Sequence, residues 1–178
     1  ILDIALSKIG DKGFFTKEIQ DALYKKEVDI AVHSLKDLPT ELPKGTQLGA
    51  ILERTNHRDV LVSINGKKLT DFTSDDKIAT SSLRRKSQLI QINKEVQVVE
   101  IRGNVDTRIR KMYNGHCQGM IMAAAGIERL GLHDHITEYL NENQMLTAPG
   151  QGAIAIEVRD KDNDVLELSS VLNHNESA

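Results

Sequence analysis

The feature that most constrains the fold is a strand–loop–helix unit that occurs twice in succession between residues 77 and 111. In the first copy, a short apolar run ending at Ala79 precedes three hydroxyl residues, which suit a helix N-cap, and a helix predicted over residues 83–93. In the second copy, the β-branched run 96–101 precedes Arg102-Gly103-Asn104 and another predicted helix. Such alternation indicates parallel strands joined by right-handed crossovers, so an α/β fold is expected.

Positive charge is concentrated at the same end of both units. Residues 79–111 contain eight Lys or Arg against three Asp or Glu, whereas the whole chain has a net charge of −3. Arg84 and Arg85 fall in the first turn of one helix and Arg108 near the start of the next, where the helix dipole disfavours cations. Together with free N–H groups and hydroxyls, these arginines suit an anion with several carboxylates or phosphates. The alternative is a solvated surface with local ion pairs.

Two irregular segments predict that the chain forms two domains. Residues 53–57 and 147–152 are polar or contain Pro and Gly, and we interpret them as inter-domain hinge segments. Residues 1–52 and 153–178 would then form one discontinuous domain and residues 58–146 the other. Clefts between such domains are preferred ligand sites. Further strands are predicted at 28–32, 47–52, 60–63, 119–125 and 153–158, and further helices at 14–26, 126–132 and 164–173.

Composition narrows the possible partners and location. Aromatic residues make up 3% of the chain and the net charge is slightly negative, which argues against a nucleic-acid surface. No apolar run approaches the roughly 20 residues of a membrane span, so no membrane partner is expected. A single cysteine cannot form an internal disulfide and suits a reducing compartment, so we predict a cytoplasmic location. Because Ile1 rather than Met comes first, the chain is expected to be part of something longer.

Asp37 is the strongest candidate for a reacting group. It follows a predicted buried strand, and open α/β sheets bind ligands at the carboxyl ends of their strands. Lys36 beside it would favour the ionised form. A carboxylate among cations can pass a proton and stabilise a cationic intermediate. The alternative interpretation is an Asx turn before Leu38-Pro39.

Other reactive residue types form no convincing site. The six histidines do not have the spacing of a metal set, and we interpret His33 as a strand-end residue with a local hydrogen bond. Cys117 lies beside His116 before an apolar strand, and we interpret it as structural. The sequence contains neither a Walker-type nor a dinucleotide-type glycine loop. We therefore predict no metal site.

Five strings connect the chain to a known family. HSLKDLP, ATSSLRRKSQL, IRGNVDTRIRK, AAAGIERLGL and APGQGAIAIE occur in the order in which the porphobilinogen deaminase (hydroxymethylbilane synthase) family carries similar strings, and the resemblance runs from Ile1 to Ala178. It implies an α/β fold whose two domains resemble type II periplasmic binding proteins. It also implies a transferase that joins four porphobilinogens, with loss of ammonia, into linear hydroxymethylbilane. The growing chain would be held on a dipyrromethane cofactor bound to a cysteine through a thioether. We expect a monomer.

The resemblance also assigns roles to residues. Asp37 matches the catalytic aspartate, which would assist loss of ammonia and stabilise the azafulvene cation. The matches for cofactor binding are Lys36, Ser34, Thr80, Ser81, Ser82, Arg84, Arg85 and Asn104. The matches for substrate binding are Arg102, Arg108, Arg129, Gln151, Lys8 and Lys12, the two lysines corresponding to a loop over the active site.

The chain also departs from the family pattern. The family's opening strand and helix and its third domain, which carries the cofactor cysteine, have no counterpart here, and Cys117 aligns with no cofactor site. We therefore expect a trimmed chain whose cofactor cysteine lies outside it. The alternative function is a non-catalytic two-domain anion-binding protein of the periplasmic type. Asp37 among cations discriminates between the two, because a pure anion receptor gains nothing from a carboxylate there.

Overall fold

The structure, a computed structural model, describes residues 14–178. Its helices are α1 Phe14–Tyr24, α2 Leu83–Ile92, α3 Val105–Tyr113, α4 Ala124–Arg129 and α5 Asn163–Ser170. Its strands are β1 Ala31–Ser34, β2 Thr46–Ile51, β3 Asp59–Ser63, β4 Lys77–Ala79, β5 Gln97–Val99, β6 Gly119–Ala123, β7 Glu138–Tyr139 and β8 Ile154–Arg159. Across residues 14–178, no helix is both long and apolar enough to cross a membrane.

The chain divides into two compact units. The first unit runs to Thr55 and resumes at Pro149–Ala178, and the second unit is Asn56–Ala148. The chain therefore leaves the first unit, builds the second and returns. Each unit has its own sheet and its own apolar core, as a folding domain requires.

The first unit is built on a three-stranded sheet in the order β1-β8-β2. β8 pairs antiparallel with both of its neighbours. The returning segment of the chain supplies the central strand, and β1 and β2 bond to it rather than to each other. α5 covers one face of this sheet, where its Val165 and Leu166 pack against Ala50, Ile156 and Val158.

The boundaries of β1 differ from the prediction because a polar side chain is buried in it. The strand was predicted at residues 28–32 and forms at Ala31–Ser34. Along it, Ala31 and His33 are buried while Val32 and Ser34 are exposed. The strand therefore continues past the predicted end at residue 32, because His33 lies beside a buried carboxylate on β8.

The second unit contains the two predicted strand–loop–helix units. Its sheet has the order β5-β4-β6-β3-β7, and β4 pairs parallel with both β5 and β6. The predicted parallel arrangement is confirmed for β4, β5 and β6, and β3 adds to it in the antiparallel sense, pairing with β6 and β7. Apolar clusters lie on both faces of the sheet, one including Ile109 and Met112 of α3 and the other including Leu89 of α2. Burial on both faces explains why these strands are almost wholly apolar.

Candidate functional site

One edge of the second sheet gathers most of the predicted binding residues. The parallel strands β4, β5 and β6 all end at this edge. β3 begins there, because it runs antiparallel and its Asp59 is in register with Ala123, the last residue of β6. We call this place the cationic edge and define it by Arg84, Arg85, Arg102, Arg108 and Asp59.

Hydroxyl and amide side chains build the loops at the cationic edge. Ser82 is the N-cap of α2 and accepts a hydrogen bond from Arg85 N at 3.4 Å, and Asn104 caps α3 by accepting from Thr107 N at 2.9 Å. Ser81 Oγ donates to Ile101 O at 2.6 Å and accepts from Ile101 N at 3.2 Å, which fastens the two loops together. These residues were predicted to bind cofactor; the contacts seen here fix the loops that carry the arginines.

Thr80 has a similar local role. It is buried, its backbone N–H donates to Val99 O at 2.9 Å, and its Oγ1 accepts from Ser82 N at 3.2 Å. The predicted hydroxyl N-cap is confirmed in Ser82. An N-cap of this kind stabilises a helix by about 1 kcal/mol.

A buried carboxylate holds the two consecutive arginines of α2. Asp59 Oδ1 accepts from Arg85 Nε at 3.0 Å and from Arg85 Nη2 at 2.7 Å, while Asp59 Oδ2 lies 2.8 Å from Arg84 Nη1. Arg85 Nη1 also donates to Ile121 O at 3.3 Å, and Arg84 Nη1 to the carbonyl of Leu146. The side chain of Asp59 is 0% exposed, that of Arg85 10% and that of Arg84 25%. The two predicted cofactor-binding arginines therefore differ in access to solvent.

Arg108 adds a third guanidinium to this edge. Its Nε donates to Gly103 O at 2.6 Å. Burial lowers the pKa of Arg108 from its ordinary value, and the positive charge of Arg85 lowers it further. Arg84 and Arg85 share the one carboxylate of Asp59, and Arg108 lies within electrostatic reach of Arg85. The cationic edge therefore keeps an excess of positive charge.

Gly103 sits where the second loop approaches its helix closely. It adopts a φ of +115°, and a Cβ there would lie 2.7 Å from Thr107 Cγ2. Arg102, next to it, is half-buried, and its carbonyl accepts from Lys111 Nζ at 3.1 Å. Arg129 is exposed and ends α4, about 9 Å of helix beyond the sheet edge at which that helix begins. Of the predicted arginines, Arg129 thus lies farthest along its own helix from the cationic edge.

The predicted site residues of the first unit meet at the end of β1. Ser34 is the exposed last residue of β1, and residues 35–37 form one helical turn closed by Leu38 N donating to Leu35 O. Lys36 Nζ lies 3.5 Å from Gln151 Oε1. Gln151 is buried, and Arg54 Nε donates to its backbone carbonyl at 2.9 Å. Arg54 was missed from sequence, although a basic residue in the polar segment 53–57 was a signal.

Asp37 projects from that turn with an exposed side chain. Among residues 14–178, its carboxylate accepts no hydrogen bond and forms no ion pair. The Asx-turn alternative would need a donor two residues on, and Pro39 has no N–H. The carboxylate therefore has no structural role among the described residues and is open to solvent.

Beneath β1 lies a buried polar network centred on Glu157 of β8. Glu157 Oε2 is 3.0 Å from His33 Nε2, and Glu157 Oε1 accepts from Thr46 Oγ1 at 2.5 Å. Gln20 Nε2 donates to both oxygens, at 3.1 and 3.2 Å. This carboxylate joins α1, β1 and β2 to β8 and supports the strand that leads to Asp37. His33 was predicted to have a local partner, but the carboxylate beside it comes from the distant strand β8.

The remaining predictions fall into three groups. Lys8 and Lys12 lie outside the described residues. Cys117 is fully buried, and burial raises the pKa of its thiol to about 11, so it is protonated at neutral pH. In the part of the chain that the structure describes, no group of three His, Cys, Asp or Glu residues is arranged to hold a metal ion.

Comparison with known families gives one match over nearly the whole chain. Residues 1–167 match the family described as porphobilinogen deaminase, dipyromethane cofactor binding domain. A porphobilinogen deaminase from Syntrophomonas wolfei is 53% identical over 177 residues, which are 99% of this chain and 58% of that protein. One from Desulfitobacterium hafniense is 49% identical over the same shares. The chain thus spans a little over half the length of the relatives it matches.

Solved structures show the same fold with little sequence identity. The BvgS VFT2 domain of Bordetella pertussis, as a double mutant, has a TM-score of 0.51 at 15% identity, covering 88% of this chain and 65% of that one. An amino acid ABC transporter substrate-binding protein from Streptococcus pneumoniae, bound to L-arginine, has a TM-score of 0.50 at 14% identity over the same shares. The predicted α/β fold, with two domains like those of periplasmic binding proteins, is confirmed.

Proposed function

Because this chain belongs to the porphobilinogen deaminase family, we propose that it forms the polypyrrole-binding and catalytic part of a transferase. The enzyme joins four porphobilinogen molecules into linear hydroxymethylbilane and releases one ammonia at each addition. The observation that carries the proposal beyond the family match is the cationic edge. There, Arg84 and Arg85 share a single buried carboxylate, and Arg108 from the next strand–loop–helix unit adds a third positive charge within electrostatic reach of Arg85.

The charge of the cationic edge suits the proposed substrate. Each pyrrole carries an acetate and a propionate, so a growing polypyrrole is a polyanion. Guanidinium forks pair with carboxylates in two parallel hydrogen bonds, and such charge-assisted bonds contribute about 1.5–3 kcal/mol each. In this proposal Arg102, Arg108 and Arg129 bind substrate carboxylates, together with Gln151, Lys8 and Lys12. Because Arg129 is exposed, it could reach a pyrrole that is added late in the growth of the chain.

The residues present also fit a dipyrromethane cofactor. We assign its carboxylate contacts to Arg84, supported from behind by Arg85, and its remaining polar contacts to Ser34, Lys36, Thr80, Ser81, Ser82 and Asn104. When bound, the cofactor supplies the terminal pyrrole carbon to which the first substrate is joined. Cys117 does not fit as its attachment point, because the thiol is fully buried and its pKa is raised to about 11. A cysteine outside this chain would hold the cofactor.

Asp37 is proposed to perform the proton chemistry. Loss of ammonia from porphobilinogen leaves a positive charge delocalised over the pyrrole. An exposed carboxylate with no partner among residues 14–178 can approach the aminomethyl group, keep its nitrogen protonated so that it leaves as ammonia, and stabilise the cation that forms. Lys36, whose Nζ lies 3.5 Å from Gln151 Oε1, adds a positive charge at the end of β1 that suits a pyrrole carboxylate.

The proposal includes the setting in which the protein works. We infer a monomer in the cytoplasm that binds a small-molecule substrate and neither nucleic acid nor membrane, supported by its net charge of −3 and its few aromatic residues. We also propose that segments 53–57 and 147–152 serve as the inter-domain hinge. Thr55 N and Thr55 Oγ1 both donate to Gly152 O, at 3.1 and 2.9 Å, so the two segments are fastened to each other.

A chimera tests this function without assumptions about flanking sequence. The 177 matching residues of the Syntrophomonas wolfei relative are replaced by this chain, and the product is incubated with porphobilinogen. We expect ammonia release and a linear tetrapyrrole. The matched control is the same chimera carrying Asp37→Asn, which should bind porphobilinogen but release little ammonia. A folded chimera that binds porphobilinogen without converting it would instead support the anion-binding alternative.

A further inference from the structure

We propose that Asp59 is a positioning residue for the anion site: it fixes Arg85 as a buried brace so that Arg84 presents its guanidinium to a carboxylate ligand. The inference rests on the proposed function, because the ligand class is a polycarboxylate such as a polypyrrole. It gives different roles to two neighbouring arginines that sequence reasoning treated alike.

The location of Asp59 excludes direct ligand binding by its own carboxylate. Its side chain is 0% exposed, and both of its oxygens face guanidinium groups of α2. It begins β3 beside the last residue of β6, so the carboxylate lies at the sheet edge where the three parallel strands end. An acidic group buried at the centre of an anion site is unfavourable for anion affinity unless it organises the cations around it.

The arginines need such a counter-ion. Consecutive residues of a helix point about 100° apart, yet Arg84 and Arg85 converge on one carboxylate. Both lie in the first turn of α2, where the helix dipole repels cations, and Arg108 adds a third positive charge nearby. Without Asp59, mutual repulsion would drive these side chains apart and into solvent.

The hydrogen bonds divide the work between the two arginines. Arg85 gives its Nε–Nη2 edge, the edge that pairs best with a carboxylate, to Asp59, and its Nη1 to Ile121 O. Arg84 Nη1 forms an ion pair with Asp59 Oδ2 and donates a hydrogen bond to Leu146 O. Among residues 14–178, no hydrogen bond is made by Arg84 Nε or Nη2. Arg84 is also the more exposed of the two, so its Nε–Nη2 edge is the one offered to a ligand.

Asp59→Asn tests the proposal through the sign of the change in affinity. The full chain is titrated with mellitate (benzenehexacarboxylate) by calorimetry, and the matched control is Asp75→Asn. Asp75 is exposed and precedes the amino end of β4, at the opposite edge of the sheet, and the two variants change net charge equally. We expect Asp59→Asn to bind mellitate about tenfold more weakly, the loss of roughly one charge-assisted contact, although the chain gains positive charge. Equal or tighter binding would overturn the proposal.

A wild-type measurement keeps the test independent of the stability of Asp59→Asn. Removing one partner of a buried ion pair can destabilise a fold severely. In the wild-type chain labelled with ¹⁵N-arginine, mellitate should shift the Nε–H signal of Arg84, assigned with Arg84→Gln, and leave that of Arg85 in place. Shifts of equal size would overturn the assigned roles.

Porphobilinogen as a second titrant separates this inference from the proposed function. A chain that binds mellitate as described but does not bind porphobilinogen contradicts the proposed function and retains the role of Asp59. If Asp59→Asn binds mellitate and porphobilinogen each as well as the wild-type chain does, the inference alone is contradicted. A wild-type chain that binds neither ligand overturns both.

Discussion

Asp37→Asn in the chimera separates catalysis from folding because of where Asp37 lies. Its side chain is exposed and has no partner among residues 14–178, so the substitution removes no described contact. Surface changes of this kind alter the free energy of unfolding by about 0.5 kcal/mol or less. We therefore expect an unchanged thermal unfolding midpoint and unchanged binding of porphobilinogen.

The loss of turnover follows from charge and proton transfer. A carboxylate about 4 Å from a unit positive charge stabilises it by about 4 kcal/mol at an effective dielectric constant of about 20 and by about 1 kcal/mol in bulk water. The exposure of Asp37 places the value between these limits, a factor of about 5 to 10³ in rate. Loss of a positioned proton-transfer group costs a further factor of about 10² to 10⁴. Asn supplies neither, so turnover should fall by at least about 10³.

Ammonia release in a single turnover is the appropriate assay, because it reports the step that Asp37 is proposed to assist. Asp37→Glu keeps the charge but moves it by one carbon–carbon bond, and a small residual rate is expected because alignment is lost. If Asp37→Asn released ammonia within about threefold of the wild-type rate, the Coulomb argument would be refuted. The proton donor would then lie elsewhere.

Three further predictions concern the arginines, the cysteine and an acidic turn. Arg84→Gln should weaken mellitate binding about tenfold with little loss of stability. Arg85→Gln should instead lower the free energy of unfolding by about 3–5 kcal/mol in urea titrations, because it breaks a buried pair. Similar effects of the two variants on mellitate binding would contradict this prediction. Cys117, with a pKa of about 11, should resist iodoacetamide at pH 8 unless urea is added, and rapid labelling of the folded chain would contradict its burial. The Lys67 ammonium donates to the Asp76 carboxylate and holds the pKa of Asp76 below its ordinary value. The stabilisation is therefore fully present above about pH 4 and is lost as pH falls through the folded pKa, so Asp76→Asn should lower the thermal unfolding midpoint most at pH 7 and less at each step below about pH 4.

Local features of the fold followed directly from the sequence. The two strand–loop–helix units and the cap at Ser82 depend on residues within about 15 positions of one another, and apolar periodicity with capping chemistry is sufficient to predict them. The positive charge at their common end was visible for the same reason. Because parallel neighbours place their carboxyl ends together, the loops of β4 and β5 meet at one edge.

The features that sequence reasoning missed depend on distant pairings. Asp59 was not among the predicted site residues, because nothing local shows that its partners begin 25 residues later on α2. The central position of β8 could not be predicted, because β1 and β2 do not signal which strand will lie between them. Glu157 did offer a signal: a charged residue inside an otherwise apolar strand indicates a buried partner.

The central position of β8 has a consequence for synthesis on the ribosome. Among residues 14–178, β1 and β2 bond to β8 and to no other strand, and Gln20 and its acceptor Glu157 are 137 residues apart. The intervening unit, Asn56–Ala148, is continuous in sequence and is translated completely before β8. Local contacts form faster than distant ones, and domains of a nascent chain fold as units. The second unit therefore completes its sheet first. β1 and β2 still lack β8 at that stage, because β8 is among the last parts of this chain to be made.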